Sequence, residues 1–147
     1  MNDTAAQPAR SAFDVTFVMC SHPRYLPIIR AAVGQLAAMV GWNASESLSI
    51  TMAVDEALAN VIRHAYHGRA DGRIELHCRA TEDELQFRIQ DSGDPPDMTR
   101  ICAREVGCDK IGGLGTHIIR DVMDTVSYKY SPEGNVFSAA KRLRREE

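Results

Sequence analysis

An α+β fold, a two-layer α/β sandwich with a mainly antiparallel sheet covered on one face by about three helices, is what this chain predicts. Three observations carry that expectation. Two early stretches repeat apolar residues at intervals of three and four and have clear start and stop signals. Later stretches alternate apolar and polar residues and are joined by polar turns, so antiparallel hairpins are the natural reading. Finally, 147 residues with 44% hydrophobic and 25% charged content fit one ordinary domain with enough apolar material for a core, which excludes disorder of the whole chain.

Residues 1–11 are small and polar without a period and read as a flexible tail, and residues 12–147 as a single domain. Phe13, Val15, Phe17 and Met19 alternate with Asp14, Thr16 and Val18, as in a strand with one buried face. Ser21 and Pro23 mark a helix start. From Arg24 to Val40, Leu26, Ile29, Val33, Leu36, Ala37 and Val40 form an apolar stripe that Gly41 ends. Asn43 and Glu46 resemble a capping box, and Leu48, Met52, Leu58, Val61 and Ile62 carry a second helix to about Tyr66, with Gly68 as its stop. Ile74, Leu76 and Cys78, then Leu85, Phe87 and Ile89, make a hairpin around Thr81–Glu84. The stretch from Ser92 to Gly113 has two prolines and no sustained period, so a long loop is expected, with at most a short helix at Met98–Arg104. Helical spacing returns from Leu114 to Met123. Strands at Thr125–Tyr130 and Val136–Leu143, joined through Pro132 and Gly134, close the fold.

A net charge of -3 and a pI near 5.9 give no overall field favouring nucleic acid or an anionic membrane. Lys141–Arg145 reads as a solvated terminal cluster, since two glutamates follow it. Cys20, Cys78, Cys102 and Cys108 are spaced too irregularly for a zinc or redox motif and no secretory leader precedes them, so free thiols in a cytoplasmic protein are expected. No apolar stretch approaches a bilayer span.

Three short segments carry candidate chemistry. Glu56 and Asn60 fall four apart on a helix, so a proton acceptor and an amide oxygen suited to a hard cation lie one above the other. Asn60 is also a poor mid-helix residue, because its side chain competes for backbone groups, and a bound Mg²⁺ would give it a partner. Asp91 ends an apolar strand, where its carboxylate can accept from an exocyclic amine such as that of adenine or simply start an Asx-turn. Gly93 lets the backbone pass close to a flat ring. The loop Gly112-Gly113-Leu114-Gly115-Thr116 opens a helix, and bare amides there form an anion site. It lacks the Lys-Ser/Thr of a P-loop and does not match G-x-G-x-x-G after a strand, which disfavours both of those nucleotide folds. His64 and His67 read as packed or capping residues, and no nucleophile–base order suggests a hydrolase triad.

Together, Asp55-Glu56-Ala57-Leu58-Ala59-Asn60 with His64-Ala65-Tyr66, Asp91-Ser92-Gly93-Asp94-Pro95-Pro96-Asp97, and Gly112-Gly113-Leu114-Gly115 with Ile118, Ile119, Met123 and Asp124 resemble the N-box and two glycine boxes of the GHKL ATPases. Within that superfamily the chain is similar to the stand-alone anti-sigma-factor serine kinases of bacteria, the RsbW type, from about Phe13 to Leu143. The resemblance implies a Bergerat-type site for ATP and Mg²⁺. Glu56 would be the general base, Asn60 the Mg²⁺ ligand, and Asp91 the reader of the adenine amine with Gly93 beside the base. Gly113, Leu114, Gly115 and Thr116 would surround the phosphates, Pro95 to Gly112 would be the lid, and Lys110 a phosphate contact.

The implied function is an ATP-dependent serine/threonine kinase in a partner-switching system, with a STAS-type antagonist, a sigma factor or analogous regulator, and a second copy of the chain as partners. Two alternatives stay open. One is an ATP-binding module that sequesters a regulator without significant turnover; the other is a detached histidine-kinase-like ATPase domain. Departures from the family pattern are Pro95 and Pro96 where a second glycine often stands, Asn135 where many relatives carry threonine, and the lack of an arginine directly before the second glycine box.

Overall fold

A computed structural model describes residues 12–95 and 114–143, the first three of the latter stretch by backbone alone. Five antiparallel strands form one sheet: β1 (Phe13–Cys20), β2 (Arg73–Ala80), β3 (Glu84–Asp91), β4 (Thr125–Ser131) and β5 (Gly134–Arg142), in the order β1-β2-β3-β5-β4. Helices α1 (Leu26–Val40), α2 (Ala44–Asn60) and α3 (Leu114–Val122) complete the α+β sandwich. The expected tail, the expected short helix at Met98–Arg104, Lys110, Gly112 and Gly113 lie outside the described residues.

Alternation decides which strand face is inside. In β2 and β3 every second residue is buried, and Ile74, Leu76, Cys78, Leu85, Phe87 and Ile89 are at most 1% exposed. Ile50, Val54 and Leu58 of α2 and Ile119 of α3 join the same core cluster, with α1 and α3 each in contact with α2. Burying each of these large side chains contributes about 1.5–3 kcal/mol. Cys78 sits in this layer, and burial pushes its thiol pKa up to about 12, so it behaves as a small apolar residue. Cys20 and Cys78 are both free.

Both helix starts follow local chemistry, with one adjustment. The expected start of the first helix near Arg24 is a 3-10 turn, Pro23–Tyr25, whose cap is His22, and the α-helix proper begins at Leu26. Gly41 ends it at φ 113, a left-handed value that glycine adopts without strain. At α2 the capping box is complete: Asn43 Oδ1 accepts from the Glu46 N–H at 2.8 Å, and Glu46 Oε2 accepts from the Asn43 N–H at 3.3 Å.

The end of α2 departs more from the sequence expectation. The α-helical ladder stops at Asn60, and Val61–Ala65 form one π turn before the chain leaves at Tyr66. The Tyr66 N–H reaches back five residues to the Val61 carbonyl at 3.1 Å. Tyr66 is 3% exposed, and its hydroxyl donates to the Arg73 carbonyl at 2.5 Å and accepts from the Ser92 N–H at 2.9 Å. One side chain thus ties the helix end to the start of β2 and to the turn after β3. Burial raises the Tyr66 phenol pKa above its ordinary value.

Candidate functional site

The carboxyl end of β3 meets the carboxyl end of α2 through the π turn, and this corner holds two of the expected residues, Asp91 and Gly93. The Asp94 N–H donates to the Ala65 carbonyl at 2.8 Å, which fastens the segment after β3 against the turn after α2. Gly93 is required by that closeness: a Cβ there would lie 2.5 Å from the Ala65 carbonyl oxygen. Packing against the protein's own backbone therefore gives Gly93 a reason independent of any flat ring.

Asp91 is 5% exposed, at the last position of β3. Its Oδ1 accepts from the Gly93 N–H at 2.9 Å, which makes the Asx-turn read as one of its two roles, and from Asn135 Nδ2 at 2.8 Å. Desolvation by burial holds the Asp91 pKa above its ordinary value, and the Asn135 and Gly93 hydrogen bonds offset part of that rise. Among the described residues both bonds fall on Oδ1. The second oxygen remains an acceptor in a mostly desolvated setting, where a directed hydrogen bond discriminates strongly between a ligand that donates and one that does not.

Asn135 faces Asp91 directly across the β3–β5 ladder. It is 6% exposed, and its Nδ2 also approaches the carbonyls of Gly93 at 3.2 Å and Asp94 at 3.3 Å. The sequence marked this residue only as a departure from a family pattern. Its role follows from strand register, which places the first residues of β5 opposite the last of β3. Beside this corner, Ser92, Gly93 and Pro95 line a cleft of about 440 Å³ with Tyr130 and the β4–β5 turn. Burial, then Tyr128 and Asp91, push the Tyr130 phenol pKa up to about 12, so it stays neutral beside the buried carboxylate.

Glu56 and Asn60 stack one turn apart, as their spacing requires, and are partly exposed. The partner that Asn60 lacked in the sequence reading is Arg63: its Nη2 donates to Asn60 Oδ1 at 2.9 Å and to Glu56 Oε1 at 2.8 Å. Both oxygens therefore converge on a single cationic nitrogen. Asp55 is turned elsewhere and accepts from Arg30 of α1 at 3.3 Å, an ion pair that joins the two helices. His67 leaves the helix at φ 52, and its Nε2 lies 2.8 Å from Asp94 Oδ2. His67 is exposed, so its contact is this surface pairing with Asp94 in place of the packed or capping position expected of it.

Leu114, Gly115 and Thr116 form the first turn of α3, so their amides belong to a helix N-terminus. Lys110 and Gly113 lie outside the described residues. Among the described residues no group of three or more His, Cys, Asp or Glu is arranged to hold a metal, and no helix is long and apolar enough to cross a membrane.

A buried acceptor at a strand end, followed by a segment fastened to the turn after a helix with a Glu-x-x-x-Asn pair, on an antiparallel sheet covered by helices, defines a class: the histidine kinase-like ATPase domain, whose family profile matches residues 19–141. The serine-protein kinase RsbW of Listeria innocua is 33% identical over 124 residues, 79% of each chain. That of Bacillus licheniformis is 29% identical over 132 residues, 84% of this chain and 82% of the relative. Two solved structures share the fold. The RsbU and RsbW domains of a Mycobacterium tuberculosis protein match with a TM-score of 0.67 at 15% identity, over 91% of this chain and 33% of that one. The histidine kinase domain of a blue-light activated kinase from Erythrobacter litoralis matches with a TM-score of 0.55 at 20% identity, over 82% of this chain and 60% of that one. The chain belongs to the histidine kinase-like ATPase family, in its RsbW-type GHKL branch.

Proposed function

We propose that this chain is an ATP-dependent serine/threonine protein kinase that acts as an anti-sigma factor in a bacterial partner-switching system and phosphorylates a STAS-type antagonist in the cytoplasm. Its sequence relatives, which carry the name serine-protein kinase, support the class of activity. The observation that carries the reading within this chain is the convergence of Glu56 Oε1 and Asn60 Oδ1 on one nitrogen, at 2.8 and 2.9 Å. Two hard oxygen donors aimed at a common cationic point suit a phosphate-bound divalent cation, so the residues fit Mg²⁺.

Asp91 accepts the exocyclic amine of adenine, and Gly93 keeps the turn narrow beside it. The amides of Leu114, Gly115 and Thr116 at the start of α3, with Gly113 and Lys110 before them, surround the phosphates and use the positive end of the helix dipole. Asn60 holds the cation, which when bound neutralises charge on the phosphates. Glu56 takes the proton from the attacking serine or threonine hydroxyl of the antagonist as the γ-phosphoryl group moves to it. Residues 12–147 work in this reading as one ATPase domain, and the sequestered regulator is a sigma factor or an analogue of one.

Incubating the protein with γ-labelled ATP and candidate STAS-type antagonists tests the reading. Label on a serine or threonine of the antagonist, lost in Glu56→Ala while ATP binding persists, supports the kinase. ATP binding without any transfer overturns it in favour of a regulatory module, and an acid-labile phosphohistidine overturns it in favour of a histidine-kinase-type domain.

A further inference from the structure

We infer that Arg63 occupies, in the nucleotide-free protein, the place that the cation must take, and that its departure couples cation loading to the release of Glu56; this rests on the reading of Glu56 and Asn60 given above. Three observations carry it. Among the described residues Arg63 Nη2 joins the two, at 2.8 Å from Glu56 Oε1 and 2.9 Å from Asn60 Oδ1. Its guanidinium is permanently charged and offers only donors, so it satisfies both oxygens much as a cation would. Its side chain is 56% exposed against 26% for Glu56, so the arginine can swing into solvent while the carboxylate stays on the helix face.

Arg63 and an arriving cation compete for the same amide oxygen. A cation that takes Asn60 Oδ1 displaces Nη2, and the same movement frees Glu56 Oε1 to accept a proton. Until then Glu56 Oε1 stays paired with the guanidinium, which holds the carboxylate toward Arg63. The π turn supplies the placement: Arg63 sits within Val61–Ala65, three residues beyond Asn60 and seven beyond Glu56, on the face that both share. Arg63 is thus a positioning residue, acting through Asn60 and Glu56.

The test is the Mg²⁺ dependence of binding of a non-hydrolysable ATP analogue, followed by calorimetry in the wild-type chain and in Arg63→Met and Arg63→Gln. Both variants should reach half-maximal binding at about three- to fivefold lower Mg²⁺, the size that an exposed ion pair permits. The gain should vanish when either is combined with Asn60→Ala. A Mg²⁺ requirement that is unchanged or increased in both variants overturns the inference and leaves the kinase reading intact. Failure of the wild-type chain to bind the analogue at any Mg²⁺ concentration instead overturns the reading on which the inference rests.

Discussion

Asn135 Nδ2 donates to Asp91 Oδ1 at 2.8 Å across the β3–β5 ladder, and the pair is buried at 6% and 5% exposure. The contact joins the last residue of one central strand to the second residue of its neighbour. It also fixes which way the carboxylate faces, because the Gly93 N–H claims the same oxygen. A carboxylate free to rotate would present either oxygen; this one presents Oδ2 consistently.

Removing that restraint should weaken ligand reading without abolishing it. We expect Asn135→Ala to lower affinity for adenine nucleotides by about tenfold, the scale of one hydrogen bond to a charged group. Calorimetric titration of the variant checks it, and an affinity equal to wild type would separate Asn135 from the site.

Asp91 should also show a conflict between stability and binding. Its folded pKa is raised above the ordinary 3.8, chiefly by desolvation. A group with a raised folded pKa contributes stability below its unfolded pKa and loses it as pH rises through the folded value. Asp91→Asn should therefore be more stable than wild type at pH 7, with the difference shrinking as pH falls through the raised Asp91 pKa toward 3.8. Denaturant unfolding at several pH values measures this. Adenine nucleotide binding by the same variant should be lost, because with Oδ1 held by Gly93 and Asn135 the outer position becomes an amide nitrogen, which donates where the amine needs an acceptor.

Gly93→Ala should destabilise the fold by about 1–3 kcal/mol, the usual range for overpacking. The added Cβ would meet the Ala65 carbonyl oxygen at 2.5 Å, and the Asp94 to Ala65 hydrogen bond beside it would have to lengthen. A thermal melt reports the loss. A variant as stable as wild type would show that the corner yields freely.

Tyr66→Phe keeps the ring and removes the hydroxyl, which leaves the Ser92 N–H and the Arg73 carbonyl without that partner. We expect a loss of about 1–3 kcal/mol from these unsatisfied groups. Hydrogen exchange should show faster opening at Ser92 than in wild type, and protection equal to wild type there would count against the bridge.

Elements whose instructions are local were legible in the sequence. Asn43 and Glu46 wrote the start of α2 correctly, and the alternation of Ile74, Leu76 and Cys78 with Leu85, Phe87 and Ile89 gave the hairpin and its inner face. The shared face of Glu56 and Asn60 was equally readable, because helix geometry alone sets it. Features decided by distant partners were hidden. The π turn after Asn60 has no signal in apolar spacing, and the contact of Tyr66 with Ser92 joins residues 26 apart. Arg63 was passed over although it lies three residues beyond Asn60, a spacing that pairs side chains on a helix. Asn135 could have been matched to Asp91 once register was considered, but only with β5 placed beside β3.

The wide turn at Val61–Ala65 takes up one residue more than an α-helix would use over the same arc. Excising one residue from it should restore ordinary helical winding and leave the chain beyond nearly in its present direction, because four α residues turn the chain about as far as five in a π turn. The phenol at 66 would then stay within reach of its two backbone partners, so the turn marks a place where the chain holds one residue in reserve.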